Sequence, residues 1–189
     1  MKQVFLTADD RVVVLDVPAP VCPDGGVLVE TLASLVSTGT EVAALKEARE
    51  TDGLESLVRA GSLAVKGLRR LAQIGVRRTW RAMESLSAPA DAPGYSLAGR
   101  VLAVGRGVDD FNVGDLVACG GSGFAAHAEI AAVPKNLCVR VPAGLDPRQA
   151  CFATVGAIAL QGVRRAEVGL GETVVVVGLG LVGLLTVQL

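Results

Sequence analysis

The sequence predicts a mixed fold: a β-rich first domain that carries a helical insertion, then a linking helix and the opening strand and turn of an α/β unit. Three observations predict it. Short β-branched runs, separated by Gly, Pro and Asn turns, fill the first 40 residues and the stretch from Leu97 to about residue 145. A proline-free segment rich in alanine, leucine and charge occupies residues 42–88. An apolar run at 173–177 leads directly into Gly178-Leu179-Gly180-Leu181-Val182-Gly183.

Composition narrows the function classes. With 51% hydrophobic and 20% charged residues, the chain has ample material for a packed core and is not disordered. A net charge of -1 supplies no global field for nucleic acid or anionic membrane, and 3% aromatic residues leave no stacking platform for single strands. The N-terminus, Met1 to Leu6, runs into Asp9-Asp10-Arg11 without a long apolar stretch or a small-residue cleavage site, so it is no secretory signal. The longest uncharged run, residues 173–189, is 17 residues long and broken by three glycines, which is short of the ~20 a membrane span needs. Its end, without cap, proline or polar tail, suggests a truncated chain. Cys22, Cys119, Cys138 and Cys151 are dispersed, with no C-x-x-C pair, which argues against a structural zinc lobe. Free thiols in a reducing cytoplasm are the expectation.

Taken in order, Val12-Val13-Val14-Leu15 and Val27-Leu28-Val29 read as strands punctuated by Pro18, Pro20, Pro23 and Gly25-Gly26. In the insertion, Leu54, Leu57, Val58, Leu68 and Leu71 recur at helical spacing, and Gly61, Gly67 and Gly75 divide it into two or three helices. Arg59, Lys66, Arg69, Arg70, Arg77, Arg78 and Arg81 lie there with no acidic residue between Ser56 and Met83; such a run is ordinarily a solvated helix face, with a phosphate or carboxylate pocket as the sharper reading. Strands resume at 97, 101–104, 116–118, 128–133 and 137–141, closely spaced as in a small barrel. Asp146-Pro147 is a helix N-cap with proline at the first helical position, opening a helix expected to reach Arg164, with kinks at Gly156 and Gly162 and an end at Gly169-Leu170-Gly171. Residues 173–177 read as a buried parallel strand.

The strongest local signal is the glycine turn after that strand. In G-x-G-x-x-G between a strand and a helix, the first glycine permits the tight turn, the second lets backbone approach a pyrophosphate, and the third allows close helix–strand packing. The helix N-terminal amides then face the anion. Thr154, Gly178, Gly180, Leu181, Val182 and Gly183 are the candidate cofactor-binding residues for NAD or NADP.

Longer segments carry a resemblance. Pro93-Gly94-Tyr95-Ser96-Leu97-Ala98-Gly99-Arg100-Val101, Phe111-Asn112-Val113-Gly114-Asp115-Leu116-Val117, and Ala153-Thr154-Val155-Gly156-Ala157-Ile158-Ala159-Leu160-Gln161-Gly162-Val163 followed by Gly171-Glu172-Thr173-Val174 resemble, in this order, the medium-chain dehydrogenase/reductases of the zinc-type alcohol-dehydrogenase-like superfamily. Met1 to Val4, Ser37 to Glu41, Gly94 to Ser96 and the insertion at 42–88 most resemble a zinc-lacking subgroup of two-domain oxidoreductases, in which a second dinucleotide domain often follows. The resemblance implies a GroES-like β-barrel domain over residues 1–145, a linking helix and truncated Rossmann domain over 146–189, and an active site in the cleft between them.

The departures from the zinc pattern matter as much. Where the zinc enzymes place a cysteine, this sequence has Thr38; where they place a His-Glu pair, it has Tyr95-Ser96. A catalytic zinc needs three thiolate, imidazole or carboxylate ligands, so no metal is expected. The one histidine, His127, has no cysteine nearby in sequence and reads as structural more readily than as a ligand. The resemblance implies Thr40 and Tyr95 as catalytic hydroxyl donors and Thr38, Ser96 and His127 as substrate-lining residues. Thr40 could equally be a turn residue, Tyr95 a packing aromatic with a bonded hydroxyl, and Glu41 and Asp115 are read as structural.

The implied activity is zinc-independent hydride transfer between NAD(P) and a carbonyl or alcohol, including a sugar or sugar nucleotide. A quinone or enone reductase is a competing enzyme reading, and a non-catalytic binding module or inactive fragment a competing non-enzyme one. A small molecule is the expected partner, with no nucleic acid and no membrane; a homo-oligomer of the complete protein is compatible with the same reading. The residue that selects NAD or NADP falls about 20 positions after the glycine turn.

Overall fold

The computed structural model describes residues 1–7, 11–39 and 90–189. The helical insertion at 42–88, with its basic residues, and Thr40 and Glu41 lie outside the described residues. Strands β1 (Lys2–Thr7), β2 (Val12–Asp16) and β4 (Ala90–Asp91) form an antiparallel sheet of order β2-β1-β4. Strands β3 (Gly26–Ser34), β5 (Ser96–Val104), β6 (Leu116–Gly120), β7 (Ile130–Pro134) and β8 (Cys138–Arg140) form a second, of order β7-β3-β5-β6-β8. A bridge between Gln3 and Ala128 ties the two together.

The period-two alternation of strands decides where the cores sit. Along β5 and β6, Leu97, Val101, Val117 and Cys119 point to one face and pack with Val27, Val29, Phe111, Ala125 and Val133. The intervening Ala98 and Ala118 point to the other and pack with Leu35, Ala150, Cys151 and Val155. The five-stranded sheet is therefore buried on both faces at its centre, and small alanines stand where helices cover it.

Those helices are α1 (Pro147–Ala150), α2 (Ala153–Arg165) and, after the glycine turn, α3 (Leu181–Gln188). Asp146 caps α1 as expected, accepting the Arg148 amide at 2.8 Å. The single helix expected from Pro147 is instead two. The chain turns at Cys151 and Phe152 so that Ala150, Cys151 and Val155 can all face the sheet. Helix α2 runs unbroken through Gly156 and Gly162, where packing and backbone bonds outweigh glycine's weak propensity. It ends at Arg165, before Gly169, with Glu167 in the left-handed region at φ 51°.

A second expectation is corrected at 173–177. This segment forms no strand ladder, and Val174, Val175 and Val177 are exposed. A parallel strand requires a neighbour to accept its hydrogen bonds, and none of the described strands runs beside it.

Candidate active site

The site is assembled at one end of β3, β5 and β6. Ser34 is the last residue of β3, and the chain after it stays beside β5 because the Leu35 amide donates to the Ser96 carbonyl at 2.9 Å. Tyr95 immediately precedes β5, and its carbonyl accepts the Gly121 amide at 2.9 Å just beyond β6. His127 is drawn to the same end: its amide donates to the Pro93 carbonyl and its carbonyl accepts from Val4, both at 2.9 Å. This approach depends on Gly94. Its φ of 104° suits glycine, and a β-carbon there would lie 2.8 Å from the His127 amide nitrogen.

The sequence-predicted residues then separate. Tyr95 is half-buried and packs on the second core together with Leu181 and Leu185 of α3. His127 is half-buried, with Nδ1 2.9 Å from the Ser34 hydroxyl. Thr154 is half-buried on α2 against Gly120. Thr38 is exposed, three positions after Leu35. Ser96, expected to line the cleft, is 1% exposed and its hydroxyl donates to the Cys151 carbonyl at 2.6 Å, so it fastens β5 to the helix pair instead. Ser34 was not a sequence candidate. Its partnership with His127 spans 93 positions, and no local signal announces it.

The three glycines of the turn have different surroundings. Gly178 has φ 88°, the left-handed conformation of the tight turn. In front of Gly180 there is open space. At Gly183 a β-carbon would run into the Gly178 carbonyl oxygen, so helix and turn touch without a side chain between them. No side chain caps α3, and its first backbone bond is from Leu184 to the Gly180 carbonyl at 2.9 Å. The amides of Leu181, Val182 and Gly183 therefore precede the helical ladder. They border an open concavity of about 440 Å³ lined by Val176, Val177, Gly178, Gly180, Leu181 and Thr186 among others. A pyrophosphate fits this arrangement: unpaired donors, a positive helix end and bare backbone.

Thr38, Tyr95 and Ser96 carry none of the thiolate, imidazole or carboxylate groups that bind zinc. Thr38 and Tyr95 offer neutral hydroxyls, Ser96 is committed to a backbone carbonyl, and among the described residues no three His, Cys, Asp or Glu side chains cluster. Nor, among the described residues, is any helix long and apolar enough to cross a membrane.

Comparison with known proteins is consistent with this geometry. Residues 55–143 match the family described as Alcohol dehydrogenase GroES-like domain. D-guloside 3-dehydrogenase of Shigella flexneri is 35% identical over 111 residues, covering 53% of this chain and 31% of that protein. (R,R)-butanediol dehydrogenase of Bacillus subtilis (strain 168) is 28% identical over 121 residues, covering 50% of this chain and 34% of that one. Among solved structures, an alcohol dehydrogenase superfamily protein from Novosphingobium aromaticivorans superposes with TM-score 0.68 at 29% identity, covering all of this chain and 49% of that one. The chain thus spans about half the length of that structure, and its matched part about a third of the curated relatives.

Proposed function

We propose that the chain, whose residues 55–143 match the Alcohol dehydrogenase GroES-like domain, is part of a medium-chain dehydrogenase/reductase, and that the whole protein is an oxidoreductase. It transfers hydride between NAD(P) and an alcohol or carbonyl of a sugar-like substrate, without catalytic zinc. The carrying observation is the shared second core: Tyr95 and, from α3, Leu181 and Leu185 each pack against it, which supports placing the residue before β5 and the dinucleotide turn on one side of the same sheet.

Residues 1–145 form the substrate side and 146–189 the link to the cofactor side. The amides of Leu181, Val182 and Gly183 would hold the pyrophosphate, and Thr154, on the helix between turn and barrel, would serve the nicotinamide end of the cofactor. When bound, the dinucleotide supplies or accepts the hydride. The hydroxyls of Tyr95 and Thr40 donate hydrogen bonds to the substrate oxygen, where negative charge builds during reduction, and take the place a metal would fill. Thr38 and His127 line the substrate cleft, and Ser34 holds the imidazole in orientation. The donor set supports metal independence, and identity with a protein named D-guloside 3-dehydrogenase favours a sugar-derived alcohol over a quinone or enone.

The test uses the whole protein. NAD(P)-linked oxidation of glycosides and polyols should survive exhaustive chelation, and Tyr95→Phe should lower turnover about 10²–10³-fold while leaving Tm nearly unchanged. Activity lost to the chelator and restored by zinc would refute the metal-free site. Parental turnover in Tyr95→Phe would remove Tyr95 from it.

A further inference from the structure

Two cysteines far from each other in sequence are brought face to face by the five-stranded sheet, in a place the proposed chemistry does not use. Cys119 on β6 and Cys138 on β8 are direct register partners. The ladder fixes what kind of partners they are. The Val141 amide donates to the Leu116 carbonyl at 2.9 Å, which makes Leu116 and Val141 a hydrogen-bonded pair. Antiparallel pairs alternate, so Val117 with Arg140 is non-hydrogen-bonded, Ala118 with Val139 hydrogen-bonded, and Cys119 with Cys138 non-hydrogen-bonded again. Non-hydrogen-bonded pairs bring Cα atoms to about 4.5 Å with their side chains closest, which lies inside the range a disulfide spans.

The side chains agree with the backbone. The two Sγ atoms are 3.6 Å apart, on the face of the sheet that belongs to the first core. Cys119 is buried and Cys138 half-buried. β8 is a three-residue edge strand entered through a 3-10 turn at Lys135–Leu137, so the Cys138 side has room to adjust and an approach from solvent. Cys22 and Cys151 are engaged elsewhere, with Sγ turned to the carbonyls of Gly26 and Arg148.

We propose that Cys119 and Cys138 are a redox pair that closes into a cross-strand disulfide when the protein meets hydrogen peroxide. The Cys138 sulfur attacks one peroxide oxygen. The O–O bond breaks, Cys138 becomes a sulfenic acid, and the other oxygen leaves as water after taking the thiol proton. The Cys119 sulfur then attacks the sulfenic sulfur. The S–S bond forms, the S–O bond breaks, and the hydroxyl leaves with the Cys119 proton as a second water. Two thiols are oxidised by two electrons in total, and one peroxide is reduced to two waters. The division of labour follows from the contact: a hydrogen bond from the Cys119 thiol lowers the Cys138 pKa, and the same bond with burial raises that of Cys119. The bridge would sit one residue before Gly120, against which Thr154 packs.

The chain is treated with hydrogen peroxide, blocked with an alkylating agent and mapped without reduction. Trypsin cuts after Arg106, Lys135 and Arg140, so the two cysteines fall on separate peptides, 107–135 and 136–140. The expected result is loss of two hydrogens from the intact mass, a 107–135 to 136–140 cross-link, and its reversal by dithiothreitol. Cys22→Ser and Cys151→Ser should cross-link normally, and Cys119→Ser should instead leave a dimedone-trapped sulfenic acid on Cys138. Separate alkylation of Cys119 and Cys138 after peroxide, or cross-links through Cys22 or Cys151, would overturn the proposal. The map of the unsubstituted chain decides even where a variant folds poorly.

Discussion

At the scale of single residues, the glycine turn separates two reasons for having no side chain. Gly180 faces open space, whereas Gly183 abuts the Gly178 carbonyl. Gly180→Ala should therefore leave Tm within about a degree of the parent, because a surface change away from packing is nearly neutral. Gly183→Ala must push helix α3 off the turn, at a cost of about 1–3 kcal/mol, read as a Tm lower by several degrees. Thermal melts of both variants check this, and equal melts would show that the close approach does not hold the turn. In the whole protein both substitutions should weaken dinucleotide binding, Gly180→Ala through the ligand alone.

At the scale of elements, the turn from Asn112 into β6 is held by one carboxylate. Asp115 accepts the Asn112 amide at 2.9 Å and the Arg140 Nε at 3.0 Å, and the Arg140 guanidinium lies 5.9 Å from the centre of the Phe111 ring. The Asn112 amide, with Arg140 adding, holds the Asp115 pKa below its ordinary 3.8. A carboxyl depressed in the folded state contributes stability that is fully present above its unfolded pKa and is lost as pH falls through the folded one. Tm should then fall more steeply on acidification below about pH 4 in the parent than in Asp115→Asn, which keeps an acceptor for Asn112 but not the charge. Identical acid limbs in the two melts would show that Asp115 is not the group responsible.

At the scale of the whole molecule, the sheet is closed on both faces at its centre, but the last segment is not. Val175 and Val177 are 80% and 94% exposed, beside exposed Leu179, Val182, Leu184 and Val187. An apolar segment with unpaired backbone is a template for association. The 189-residue chain should self-associate with rising concentration in sedimentation velocity, and Val175→Lys with Val177→Lys should reduce it. A chain that stays monomeric at all concentrations would show that this surface is inert.

By itself, the sequence determined the features that depend on near neighbours. The turn glycines, the Asp146 cap and the alternating strand pattern are local steric and hydrogen-bonding facts, readable within a few positions. So is the absence of thiolate and imidazole at Thr38, Tyr95 and Ser96. What only the tertiary structure decided are meetings across the chain, where register and sheet twist choose the partner. It gave His127 to Ser34, turned Ser96 inward to the Cys151 carbonyl, broke the expected helix at Cys151 and set Cys119 opposite Cys138. It also withheld strand structure from 173–177, because a strand's hydrogen bonds point sideways to a neighbour, whereas a helix satisfies its own.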